Sequence, residues 1–99
     1  MELSKIKAYI GFAIKSRSIK YGIDDIMNVK RIQFIMLSDR LAESSKNKII
    51  NFANKNNCEF IEFPANDFSE LFNGNESIKA ISIIDKGLSD AIKKIMNPK

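Results

Sequence analysis

Ninety-nine residues with 44% hydrophobic content predict a single compact domain, residues 1–99. The formal charge is +4, and residues 1–50 hold ten Lys/Arg against five Asp/Glu while residues 51–99 hold six against seven, so the basic excess belongs to the N-terminal half. One cysteine, Cys58, excludes an intramolecular disulfide, and the absence of histidine removes the usual zinc ligands.

The longest apolar run falls far short of the roughly 20 residues a helical membrane span needs, and no apolar leader with a cleavage site opens the chain. The expectation is a soluble cytoplasmic protein with no cofactor, no metal and no membrane partner. The basic half fits either a polyanionic partner or a solvated lysine surface.

In chain order, Leu3, Ile6, Ile10, Ala13 and Ile14 fall on one stripe and predict a helix from about Leu3 to Lys15. Its interleaved cations also suit a membrane-surface helix, but the single stripe favours packing on its own domain. A short extended piece follows at Ser18 to Tyr21, then Gly22, then a short helix through Asp24 to Asn28. "RIQFIML", Arg31 to Leu37, reads as a buried central strand closed by Ser38-Asp39. Helical period returns from Ala42 to Asn56, with Ile49, Phe52 and Ala53 inward and Lys46, Lys48, Asn51 and Lys55 outward.

"EFIEF", Glu59 to Phe63, alternates as an edge or half-buried strand, and Pro64 stops it. Asp67 and Glu70 have capping-box spacing and predict a helix to about Phe72. After the turn "NGNES" comes a buried strand, Ile78 to Ile84, and Asp85 is placed to cap a last helix with Leu88, Ala91, Ile92 and Ile95 inward. Strands alternating with helices predict an α/β protein, a three-layer α/β/α sandwich with a central four-stranded mixed sheet.

Catalytic chemistry has little to work with. Cys58 lacks a histidine partner and reads as a small buried hydrophobe at the start of a strand. Gly11, Gly22, Gly74 and Gly87 are too far apart for a phosphate loop. Asp24 and Asp25 are neighbours on a helix and point about 100° apart, a poor chelating pair that a helix N-terminus already explains.

The order of motifs is informative: "YIGFAIKSRSIKYGIDDIM", "RIQFIMLSDRLAESSKNKI", "CEFIEF" and "ELFNGNESIKAISIIDKGLSDAI". Over nearly the whole chain this resembles the bacterial YlxQ-like branch of the L-seven-Ae ribosomal protein family, which includes the L-thirty-e proteins. The resemblance implies an L-seven-Ae/L-thirty-e-like sandwich, kink-turn RNA as partner, ribosome association and no enzymatic activity. In kink-turn-binding relatives the second helix starts with glycine, a small residue, asparagine, glutamate, two variable positions and lysine; here those positions hold Gly22, Asp24 for asparagine, Asp25 for glutamate and Asn28 for lysine.

Asp25 keeps an acceptor for guanine edges on a shorter arm, whereas Asp24 only accepts where asparagine also donates. Gly22 has two readings: a tight strand-to-helix turn, or a point where backbone amides approach RNA with no Cβ in the way. The resemblance places further contacts at Ser38-Asp39 and in the loop Asn73 to Ile78, with Asn75, Ser77 and Ile78 as candidates. That loop is polar and contains Glu76, where relatives carry an apolar one, so it also reads as a solvated turn. Arg17, Lys20, Lys30 and Arg31 flank the Gly22 helix and form one phosphate-contacting edge if the fold brings them together. The functional expectation is a monomeric protein binding structured, kink-turn-like or ribosomal RNA. The alternative is a protein-interaction module of the same fold, with the ribosome or another protein as partner.

Overall fold

The computed structural model of the protein describes residues 3–32 and 34–96. Along the chain run α1 (Leu3–Lys15), β1 (Ile19–Tyr21), α2 (Ile23–Met27), β2 (Phe34–Ser38), α3 (Glu43–Lys55), β3 (Glu59–Phe63), α4 (Ala65–Glu70), β4 (Ala80–Ile83) and α5 (Lys86–Met96). The four strands form one mixed sheet in the order β1-β4-β2-β3, with β2 and β3 parallel and β4 antiparallel to both its neighbours.

The two-residue period of the strands divides the core. Phe34, Met36, Phe63, Ile81 and Ile83 pack against Ile6, Ile10 and Ala13 of α1, Phe68 of α4 and Ile92 of α5. Ile35, Leu37 and Ala80 share the other cluster with Ile26 of α2 and Ile49 and Ala53 of α3. Helices therefore cover both faces, and the architecture is the expected three-layer sandwich.

Several boundaries move, each for a physical reason. β2 begins at Phe34 because its partners begin and end there, Glu59 on β3 and Ile83 on β4. Arg31 and Ile32 precede the strand, and Gln33 lies outside the described residues. Asp67 does not cap α4: Pro64 holds the N-cap position, its carbonyl accepts the Phe68 N–H at 2.9 Å, and Asp67 lies in the first turn. On α1 the core stripe runs through Ile6, Ile10 and Ala13, which leaves Ile14 47% exposed. Asp85 does cap α5, its Oδ1 accepting the Leu88 N–H at 2.8 Å. On that helix Ile92 is fully buried, while Leu88 and Ile95 pack against the same cluster from half-buried positions.

Candidate nucleic-acid interface

The chain enters α2 through Gly22 at φ +81°, ψ 160°, a region that glycine alone occupies without strain. A Cβ built there meets nothing within 4 Å, so the demand comes from the backbone and not from crowding. The Gly22 N–H donates to the Ala80 carbonyl at 3.0 Å, and its carbonyl accepts the Ile26 N–H at 3.0 Å. One residue earlier on the same segment, the Lys79 carbonyl accepts the Ser38 N–H at 2.9 Å. Two successive carbonyls thus tie the start of α2 and the end of β2 to the segment entering β4. Gly22, Ser38 and Ile78 meet at one end of the sheet.

Several polar side chains at this end are engaged within the fold. The Ser38 hydroxyl, in a residue only 3% exposed, accepts the Arg40 N–H at 3.2 Å. Asp39 accepts the Ala65 N–H at 3.1 Å, which fixes the start of α4 to the end of β2. Asn75 Oδ1 accepts both the Ser77 N–H at 3.0 Å and the Ser77 hydroxyl at 2.6 Å, the local bonding of a tight polar turn. Asn73 and Gly74, at φ +57° and +83°, reverse the chain before it. Ile78 is half-buried against the core.

Between these turns lies a depression of about 180 Å³ lined by Ser38, Arg40, Ala65, Ser69, Glu76, Ile78 and Lys79. Arg40 and Lys79 were not singled out by sequence. Their signal was adjacency, one directly following Ser38-Asp39 and the other Ile78.

The far end of α2 is built differently. Asn28 ends the helix in an ordinary conformation, φ −90° and ψ −3°, its N–H shared between the Asp24 and Asp25 carbonyls at 3.2 and 3.3 Å. Lys20, Asp25, Asn28, Val29 and Ile84 line one depression there. Val29 borders the next, which Lys30, Arg31 and Ile32 share with Phe52 and Asn56 of the α3 end. Arg17, at φ +58° in the turn before β1, is one residue from Ser18, whose carbonyl accepts the Ile84 N–H at 2.8 Å. Lys20 lines the first of these depressions and Lys30 and Arg31 the second, both at the opposite end of α2 from Gly22, while Arg17 lines neither. Asp24 sits in the exposed first turn near Gly22, and Asp25 faces the Lys20 depression.

Burial pushes the Cys58 thiol up from 9.0 to about 11, so it is protonated and unreactive near neutral pH. Among the described residues no group of three His, Cys, Asp or Glu is placed to hold a metal ion. No described helix is long and apolar enough to cross a membrane.

No family model matches the chain, and no curated protein does. Its fold is similar to a solved structure titled "The structure of a protein with unknown function from Bacillus halodurans C". The two agree with a TM-score of 0.81 at 14% sequence identity, over 94% of this chain and 97% of that one.

Proposed function

We propose that the protein is a small, non-enzymatic, cytoplasmic RNA-binding protein of the L-seven-Ae/L-thirty-e type that recognises structured, kink-turn-like RNA, in the ribosome or elsewhere. The observation that carries this reading is the meeting of the Gly22 turn, the β2 end and the 73–79 segment at one end of the sheet through the Lys79 and Ala80 carbonyls. These are the three regions that the motif resemblance selects separately along the chain. In this reading the exposed Gly22 backbone lets the RNA approach closely, Asp25 accepts from guanine edges, and Arg40 and Lys79 neutralise phosphates beside Ile78. Lys20, with Arg17, Lys30 and Arg31 beyond it, contacts the backbone of a flanking arm.

Asp24 and Glu76 favour a second reading, a protein-interaction module of the same fold, because exposed carboxylates at that end repel phosphate. A titration separates the two. The protein is measured against a kink-turn RNA and a matched straight duplex at two salt concentrations, with a folded Gly22→Ala variant alongside. RNA recognition requires at least tenfold preference for the kink-turn, lost in the variant. Equal weak binding to both RNAs that vanishes with salt overturns it.

A further inference from the structure

α2 and α3 lie side by side over the second core cluster, and of the trough on their outer surface the reading above uses only Lys30 and Arg31. Met27, Lys48, Asn51, Phe52 and Lys55 line it, and Phe52 joins it to the neighbouring depression of Val29, Lys30, Arg31 and Ile32. Phe52 is half-buried, its inner side packed against the core cluster, and Met27 is 40% exposed.

Being unpaired does not by itself set the cations here apart, but Lys20 shares its depression with Asp25, and Arg40 and Lys79 share theirs with Glu76. Lys46, earlier on α3, pairs with Glu62; Lys86 pairs with Asp90 at 2.9 Å and Lys93 with Glu59 at 3.5 Å. Among the described residues Lys30, Arg31, Lys48 and Lys55 form no ion pair and no carboxylate lines either depression. Four unneutralised cations thus surround one aromatic ring and an exposed thioether on a surface that solubility alone does not require to be so one-sided.

We propose that this α2–α3 trough binds a single-stranded segment of nucleic acid, a base resting against Phe52 and the phosphates tracking Lys48, Lys55, Lys30 and Arg31. Sequence-tolerant strand binding combines a positive groove with an aromatic platform, the arrangement these residues provide. An acidic amphipathic helix fits the trough less well. Its anchors at i to i+7 need about 10.5 Å of groove, whereas the five-residue α2 supplies a wall of about 7.5 Å. The proposal goes beyond the kink-turn reading and does not depend on it, because Lys48, Phe52 and Lys55 take no part in the Gly22 end.

The test is a fluorescence-anisotropy titration of a labelled 12-nucleotide uridine strand, over a salt series, with a polyaspartate peptide as competitor. The full-length protein is compared with Lys48→Glu/Lys55→Glu and with Phe52→Leu, which keeps apolar bulk but removes the ring; circular dichroism verifies that each variant is folded. The charge reversal is expected to weaken strand binding more than tenfold and to flatten the log–log salt slope by about 1.4, at about 0.7 per lost phosphate contact on a single strand. Phe52→Leu is expected to weaken binding about fivefold or more with the slope unchanged, as loss of a stacked base does. Binding that survives the charge reversal, a ring substitution without effect, or polyaspartate competing as well as unlabelled strand would each overturn the proposal, the last by assigning the trough to an acidic protein.

Discussion

The two caps of the five-residue α2, Gly22 and Asn28, do opposite kinds of work. At Gly22 the backbone takes a conformation closed to other residues, and the polar side chains around it, Ser38, Asp39, Asn75 and Ser77, hold turns together. At Asn28 the backbone is ordinary, and the surrounding cations, Lys20, Lys30 and Arg31, are exposed and make no ion pairs among the described residues. Residues at the first end are already accounted for by the fold, so a binding role there rests on the shape the backbone presents. Charges at the second end are not required by the fold, and the proposed function assigns them to phosphate contacts.

Removing what the two ends share has the largest effect. Ile26, fully buried, anchors α2 to the second core cluster, and Ile26→Ala is expected to cost about 2–4 kcal/mol in chemical unfolding. The next test separates the ends. Gly22→Ala forces a side chain into φ +81° and should cost about 1–3 kcal/mol although its Cβ has open space, whereas Asn28→Ala should stay within about 0.5 kcal/mol. Equal costs in thermal melts would remove the distinction between a constrained and an unconstrained end.

Charge changes sharpen it further. Arg31→Ala should lower the salt slope of RNA binding by about one unit at similar cost for every RNA. Asp24→Asn, which removes a repulsive carboxylate and restores a donor, should strengthen kink-turn binding severalfold at low salt.

The last effect emerges only above pH 9 and concerns Cys58, beneath the α2–α3 layer. Its folded pKa, about 11, exceeds the unfolded value of 9.0, so the fold favours the protonated thiol. That stabilisation is fully present below pH 9 and is lost as pH rises through 11, while a Cys58→Ala protein should not show this loss. A thiolate absorbance titration of the folded protein gives the folded value directly.

Features set by local rules were legible in the sequence. The Asp85 cap depends on a residue three positions away, α1 has the expected bounds, and the Glu59–Phe63 strand has the expected ends because Pro64 stops it. Features set by partners were not. Arg31 continues an apolar, β-branched run, but no neighbouring strand extends beyond Phe34 to pair with it. Asp67 has capping-box spacing, yet Pro64 already starts the helix.

The same division applies to the site. Gly22 could be singled out because glycine at a strand-to-helix junction implies unusual backbone. The gathering of Lys20, Lys30 and Arg31 away from Gly22 follows from sheet register and the packing of α2 against α3, which no short window of sequence contains. Lys48 and Lys55 read as a solvated helix face, and only the placement of Met27 and Arg31 opposite them makes that face one wall of a trough.

The most direct test of RNA recognition at the Gly22 end is a map of backbone amide shifts in the isotope-labelled protein as a kink-turn RNA is added at moderate salt. The proposed function predicts the largest shifts at Gly22, Ile23, Asp39 and residues 75–79, with smaller ones at Lys20 and Arg31. Shifts confined to Lys30, Arg31 and α3, with the Gly22 end unmoved, would contradict it.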